Sequence, residues 1–308
     1  MKKIAVITPI SHLDGVKELV ESKGKVYYLE NNPDKSVVKS LLIRKKINTI
    51  VCNPNQQSFK IDKELLDMTE VKLINSCSTG LNHIDLKYCQ NNNIEIQCHK
   101  NDYELINDLP STSELAFGLM VSLLRKIPHC QNHVSKYKWD YTQFMGRQIK
   151  DLKIGIIGYG RLGKIMHNYC RAFNADVCVY DPYKFNIGCS SLEDMFEKCD
   201  VISIHVHVTE ETKGMISKKL LDLSKKDLYI INTSRGEIVN EFDIVNALDS
   251  GKLTGYGTDV IKNEFDILTK SPIIKAMNKG KNIIVTPHVG GMTIEGQTKA
   301  YKWSINKL

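Results

Sequence analysis

The chain has 308 residues, 42% of them hydrophobic and 25% charged, which predicts two globular domains and excludes disordered, collagen-like and low-complexity classes. The net charge of +7 comes from dispersed lysines, with arginine only at positions 44, 125, 147, 161, 171 and 235, and so predicts a solvated surface and no nucleic-acid partner. The longest apolar stretch, Leu115 to Leu124, falls short of the roughly 20 residues of a membrane span, so no membrane association is expected.

Met1-Lys2-Lys3-Ile4-Ala5-Val6 runs into a strand pattern without a signal-peptide core, which predicts a cytoplasmic address. Lys3–Thr8, Lys25–Leu29, Asn48–Cys52, Lys72–Ser76 and Ile94–Cys98 are short apolar or β-branched runs. Helix-spaced segments such as Leu13–Ser22 and Ser36–Lys46 separate them. Strand and helix in alternation predict a parallel sheet covered on both faces.

Ser111-Thr112-Ser113-Glu114 has the spacing of a capping box and opens the apolar run Leu115 to Leu124. A helix so apolar must be buried, within the chain or against a partner. The stretch Lys136-Tyr137-Lys138-Trp139-Asp140-Tyr141 reads as a connection lying over a surface. Alternation then restarts with strand candidates Lys153–Ile157, Val177–Tyr180, Val201–His205, Tyr229–Asn232, Gly255–Asp259 and Ile283–Thr286. The tail after His288 is expected to pack back on the first domain. Nine cysteines make no CxxC pair and no metal-ligand spacing, which predicts reduced thiols, no disulfide and no metal site. Cys178, in Val177-Cys178-Val179, reads as a packing residue.

Gly158-Tyr159-Gly160-Arg161-Leu162-Gly163 carries G-x-G-x-x-G between a strand and the helical pattern Lys164–Phe173. In such a turn Gly158 permits the tight bend, Gly160 lets backbone approach a pyrophosphate, and Gly163 lets helix pack on strand. The amides of the first helical turn, Arg161 and Leu162 among them, favour the anion. Asp181 ends the next strand about 20 residues on, where a carboxylate accepts from a ribose 2′-hydroxyl and repels a 2′-phosphate. The cofactor expected is therefore NAD.

Three later strand ends carry polar groups: Asn232-Thr233-Ser234-Arg235-Gly236, Thr258-Asp259 followed by Glu264, and Thr286-Pro287-His288. Together they offer one guanidinium, one carboxylate and one imidazole. A guanidinium grips a carboxylate in a fork, an imidazole exchanges the proton of an alcohol near neutral pH, and a carboxylate beside it orients the ring. The set suits redox chemistry on a 2-hydroxy or 2-oxo acid, with a nicotinamide carrying the electrons.

Seven segments in order make the chain resemble the D-isomer-specific 2-hydroxyacid dehydrogenase family. They are Thr79-Gly80-Leu81-Asn82-His83-Ile84-Asp85, Glu114-Leu115-Ala116-Phe117-Gly118-Leu119, the Gly158–Gly163 fingerprint, Cys199-Asp200-Val201-Ile202-Ser203-Ile204-His205, Asn232–Gly236, Asp259–Glu264 and Thr286–Gly291. The resemblance implies an α/β fold of two doubly wound parallel-sheet domains. An NAD-binding Rossmann domain (105–287) would be inserted into a flavodoxin-like substrate domain (1–104), to which 288–308 return. It implies Arg235 as substrate clamp, Glu264 as partner of His288, and His288 as acid/base. Backbone amides at Thr79, Gly80 and Leu81 would bind the substrate carboxylate. Asp259 would lie by the nicotinamide amide, Thr209 by the pyrophosphate, and His205, Thr233 and His288 would also contact the cofactor. A homodimer, chiefly through the Ser111–Leu124 helix, is expected.

The chain departs from the family pattern at Phe265, His207 and Asp151-Leu152, where proline, proline and Gly-Lys are usual; Phe265 bears on the loop holding Glu264. It ends soon after a helix signal at Thr293–Lys302, so feedback through a C-terminal regulatory domain is not expected. His12, His83, His99, His129, His133 and His167 read as surface or packing residues. The alternative to an enzyme is an NAD(H)-sensing, corepressor-like protein on the same fold, against which Arg235, Glu264 and His288 argue.

Overall fold

A computed structural model describes residues 1–30, 33–54, 59–184, 188–264 and 268–308. The chain forms two compact units, Met1–Leu109 with Gly291–Leu308, and Pro110–Gly290.

The first unit is built on a parallel five-stranded sheet of β1 (Lys3–Val6), β2 (Lys25–Tyr28), β3 (Thr49–Cys52), β4 (Leu73–Ser76) and β5 (Glu95–Gln97), in the order β2-β1-β3-β4-β5. Alternate residues of β1 feed two cores. Ile4 and Val6 pack with Val16, Val20, Tyr301 and Ile305, and Ala5 with Val38, Leu42 and Ile50. Burial on both faces is why these strands read as continuous apolar runs instead of alternating ones. The helix Ile294–Asn306 closes the first of these faces. It is pinned by buried polar pairs: the Ser304 hydroxyl donates to Asn75 Oδ1 (2.7 Å), and Asn75 Nδ2 donates to the Ser304 carbonyl (2.9 Å).

The second unit has a parallel six-stranded sheet of β6 (Lys153–Ile157), β7 (Asp176–Tyr180), β8 (Val201–Ile204), β9 (Leu228–Asn232), β10 (Leu253–Thr258) and β11 (Ile283–Val285), in the order β11-β10-β9-β8-β6-β7. The winding reverses between β6 and β8, and there such sheets open a ligand crevice at their carboxyl ends. Among the described residues no helix is long and apolar enough to cross a membrane.

Two local expectations are corrected, the cap of the helix Ser111–Leu124 and the state of Cys178. The helix Ser111–Leu124 has Pro110 as its N-cap and no side-chain cap; the Ser113 hydroxyl instead donates to the Leu162 carbonyl (2.9 Å), inside the unit and not at the helix mouth. The apolar face of that helix is covered by its own unit: Ala116, Leu119, Met120, Leu123 and Leu124 pack with Ile154, Ile156, Tyr229 and Ile231. The helix is thus buried within the chain, one of the two outcomes its apolar sequence predicts. The 136–141 stretch is a surface connection, with Tyr137, Trp139 and Tyr141 more than four-fifths exposed. Finally, Cys178 is not a plain packing thiol, because it forms a disulfide with Cys189. β7 is the sheet's edge, and the chain returns to it, the Cys189 amide donating to the Val179 carbonyl (3.0 Å). That return brings together two sulfurs whose sequence spacing carries no pairing signal.

Candidate active site

The glycine turn follows β6 at the reversal point. Gly158 has φ +91, a left-handed backbone that favours glycine, and its amide donates to the Tyr180 carbonyl at 2.8 Å. A Cβ on Gly163 would lie 2.0 Å from the Gly158 carbonyl oxygen, so the helix Arg161–Ala172 sits directly on the turn. Gly160 caps that helix, and the space a Cβ would fill there is open to 4 Å. Open space above a helix N-terminus suits a pyrophosphate. Burial lowers the pKa of Arg161 in the first turn, where Leu162 receives the Ser113 hydroxyl.

Asp181 directly follows β7 and is fixed by two backbone donors, the Tyr159 amide to Oδ2 (2.8 Å) and the Tyr183 amide to Oδ1 (3.0 Å). Its carboxylate thus stands beside the glycine turn. Two cations share this corner. Lys184 Nζ donates to the Tyr159 carbonyl (2.5 Å), and Lys184 and Lys164 lie 5.3 and 5.9 Å from the centre of the Tyr159 ring. Sequence reading missed this trio, because an x position of the fingerprint carries no pattern.

His205 contributes backbone to the turn. Its amide donates to the Ile157 carbonyl (2.8 Å), and its own carbonyl would meet a Cβ on Gly158 at 2.5 Å. Its ring is buried, shares a 2.8 Å hydrogen bond with the Ser203 hydroxyl, and titrates near 4 because burial disfavours the cation. Thr233 is 7% exposed, and its buried hydroxyl has no partner among the described residues. Such an orphaned group fits a site completed by a bound molecule. Thr209 lies in an exposed turn, its amide donating to the Thr212 hydroxyl (2.8 Å).

β9, β10 and β11 are adjacent and parallel, with Thr258 in register with both Asn232 and Val285. The residues after these three positions therefore emerge at one sheet edge. Asn232 shapes the first turn: its Oδ1 accepts the Ser234 amide (3.0 Å) and its Nδ2 donates to the Arg235 carbonyl (2.9 Å). Arg235 is half-buried and donates to the Ser234 carbonyl (2.7 Å). Among the described residues no carboxylate pairs with it. A Cβ on Gly236 would lie 2.1 Å from the Ile261 carbonyl carbon, so the Arg235 turn abuts the segment leading to Glu264. Buried Glu241 accepts the Lys262 amide at 2.7 Å and braces the same segment; burial raises its pKa.

His288 has φ +55, uncommon for a non-glycine residue, and Asp259 holds it there. The Asp259 carbonyl accepts the His288 amide (2.9 Å). The Asp259 carboxylate accepts the Thr286 hydroxyl (2.5 Å), the Val289 amide (2.8 Å) and the Gly290 amide (2.7 Å). Asp259 is 2% exposed, and burial raises its pKa against the pull of those donors. On the turn so fixed, His288 Nδ1 lies 2.8 and 3.0 Å from the two oxygens of Glu264. Sequence and structure thus agree that Glu264 and His288 meet. Phe265, the departure beside Glu264, lies outside the described residues.

Thr79, Gly80 and Leu81 belong to the first unit. The Ser78 hydroxyl donates to the Gly80 carbonyl (2.8 Å), and Ser76 links Ser78 (3.0 Å) to buried His83 (3.2 Å). Burial drives the His83 pKa down to about 4, leaving a neutral ring at pH 7.

Residues 4–103 match the catalytic domain, and residues 117–290 the NAD binding domain, of the D-isomer specific 2-hydroxyacid dehydrogenases. The chain belongs to that family. It is 27% identical over 292 residues to the D-3-phosphoglycerate dehydrogenase of Bacillus subtilis (strain 168), an alignment covering 92% of this chain and 52% of the relative. The chain spans about half the length of the curated relatives it matches first. Its fold is similar to the apo-structure of D-lactate dehydrogenase from Escherichia coli (TM-score 0.84, 21% identity, 99% of this chain and 95% of that one). It is also similar to D-lactate dehydrogenase from Aquifex aeolicus complexed with NAD and lactic acid (TM-score 0.75, 26% identity, 99% and 94%). As a member of this family of oxidoreductases the chain carries an NAD-binding domain.

One expected result follows from the Asp259 geometry alone. Asp259→Ala leaves three donors on the 286–290 turn without their acceptor, a mechanism that typically costs about 1–3 kcal/mol for a buried donor. Urea unfolding is expected to show a loss of at least that size. Unchanged stability would mean that the turn does not depend on Asp259.

Proposed function

We propose that the chain is an NAD-dependent dehydrogenase interconverting a small D-2-hydroxy acid and its 2-oxo acid. The observation that carries this reading is the 2.8 Å contact between His288 Nδ1 and Glu264 on a turn fixed by Asp259. With Nδ1 committed to Glu264, proton exchange with the substrate oxygen falls to Nε2 of His288. Glu264 orients the ring and stabilises its charged form. Arg235 grips the substrate carboxylate in a fork, and the amides of Thr79, Gly80 and Leu81 bind a carboxylate oxygen. NAD, when bound, supplies the two-electron acceptor or donor. Gly158, Gly160, Arg161, Leu162, Gly163, Asp181, His205, Thr209, Thr233, Asp259 and His288 are the residues proposed to hold it.

A panel of 2-oxo acids, followed by NADH absorbance, tests the reading and identifies the acid. If NADH binds and no acid in the panel consumes it, the enzyme reading yields to the NAD(H)-sensing one.

Asp181 is expected to set the preference for NADH over NADPH, because its carboxylate meets a 2′-phosphate as a like charge. Asp181→Ala is expected to narrow the ratio of the two kcat/KM values, the more so because Lys184 and Lys164 stand over the ring of Tyr159, whose amide Asp181 accepts. Equal use of both cofactors by the unaltered protein would contradict this.

We further propose a cytoplasmic homodimer. The helix Ser111–Leu124 keeps Glu114 and Gly118 exposed, and Tyr137, Trp139, Tyr141 and Met145 are each more than four-fifths exposed, apolar area that a second copy would cover. Light scattering is expected to give twice the chain mass at micromolar concentration, and a monomer would refute the proposal.

A further inference from the structure

We propose that Cys178 and Cys189, with Cys199 beside them, form a thiol–disulfide site that tunes cofactor affinity and is reduced by dithiols. The inference rests on the reading that Asp181 meets the cofactor. The three sulfurs lie within 4.8 Å of one another at the edge of the sheet. Cys178 and Cys189 are bonded, with Cα atoms 5.8 Å apart, and Cys199 Sγ lies 3.4 Å from Cys178 Sγ.

Position gives the bridge its consequence. Asp181, Tyr183 and Lys184 all lie between the two bonded cysteines in the chain, so the bridge closes a covalent loop around them. Two of these three touch Tyr159 of the glycine turn: Asp181 accepts its amide, and Lys184 donates to its carbonyl. Among the described residues, the Cys189 amide on the Val179 carbonyl and close packing of Gly188 on the Val179 backbone support the return to β7 without the bridge. Without the bridge, more of the cost of holding Asp181 and Lys184 against the glycine turn falls on cofactor binding.

Access is asymmetric. Cys189 is partly exposed, whereas Cys178 and Cys199 are buried, and burial pushes the Cys199 thiol up to about 12. Cys199 therefore keeps its proton near neutral pH and does not compete for the bridge. An incoming dithiol attacks as thiolate at Sγ of Cys189. The Cys178–Cys189 bond breaks, Cys178 leaves as a thiolate and takes a proton, and a mixed disulfide remains on Cys189. The second thiol of the partner then attacks its own sulfur in that mixed disulfide and releases Cys189 as a thiol. Two electrons pass to the protein, and the partner becomes a disulfide.

The test combines peptide mapping with NADH titration. Protein held in oxidised glutathione or in dithiothreitol is alkylated, digested without reduction and mapped by mass spectrometry, and the same samples are titrated with NADH by fluorescence. A Cys178–Cys189 linked peptide is expected only in the oxidised sample. The NADH Kd is expected to rise about three- to tenfold on reduction, the size of an ordering cost for a few loop residues. Cys189→Ser is expected to bind like the reduced protein in both buffers, and Cys199→Ser to respond like the unaltered protein. Absence of the linked peptide overturns the proposal, as do an NADH Kd indifferent to redox state and zinc retained stoichiometrically by the three thiols. No NADH binding in either buffer overturns the functional reading and with it the link to the cofactor, while the peptide map still judges the bridge.

Discussion

His288→Gln is expected to lower kcat by roughly 10²- to 10⁴-fold, the size of a lost general acid/base, while NADH still binds. Glutamine and histidine both carry a Cβ, so the left-handed backbone at 288 is no more strained in the variant, and the Asp259 bonds to the turn involve no atom of the 288 side chain. The loss then reports the imidazole itself. Reduction of a 2-oxo acid delivers a proton to the carbonyl oxygen and needs the charged ring, whereas oxidation of the alcohol needs the neutral ring. Reduction is therefore expected to fall, and oxidation to rise, as pH climbs through one transition. Glu264 places a carboxylate 2.8 Å from Nδ1. Glu264→Gln replaces the carboxylate that holds Nδ1 with a neutral amide, and kcat is expected to fall in both directions because the ring loses its orienting partner. The pH profiles of the unaltered protein and kcat of the two variants decide the matter. Full activity in His288→Gln would dismiss the acid/base role, and unchanged kcat in Glu264→Gln would leave that carboxylate a bystander.

The parts of this site legible in the sequence are those fixed by short-range pattern. Strands buried on both faces appear as β-branched runs, and β6, β8 and β9 lie within a residue of where those runs place them. Gly158 and Gly163 are needed by backbone that no side chain could share, and their spacing follows from the turn itself. Glu264 and His288 could be paired because both follow strand ends, and parallel strands deliver their ends to one edge. What stayed illegible depends on which way a side chain turns. Asp259 is one acid after one strand, and nothing in its neighbours announces that its carboxylate takes three hydrogen bonds from the turn bearing His288. Glu241, in the first turn of a helix, looks like a solvated acid yet is buried against the Lys262 amide. Ser113 sits in a capping pattern but spends its hydroxyl on Leu162. Cys189 finds Cys178 only because the chain folds back on an edge strand.

Arg235→Lys is expected to cripple turnover although the charge is kept. The guanidinium presents a planar set of donors that matches both oxygens of a carboxylate, and lysine supplies a single point charge. The surroundings of Arg235 make this shape matter. One N–H already bonds the Ser234 carbonyl, which fixes the plane of the group, and the turn is locked by Asn232 and by contact of Gly236 with Ile261. A half-buried lysine at 235 would keep neither that plane nor the two-point grip. The expected loss is about 2–4 kcal/mol in kcat/KM for the acid, the range for truncating a desolvated charge-pair partner. NADH affinity is expected to hold within about twofold, because no residue of the glycine turn bonds Arg235 and additive behaviour is the rule for sites without shared partners. The measurement is kcat/KM for the acid set against the NADH Kd. Near-normal turnover in Arg235→Lys would remove the arginine from the clamp role. A parallel loss of NADH binding would show that the substitution had disturbed the Asn232–Gly236 turn instead, and a unidentate contact through lysine would appear as a raised KM with kcat preserved.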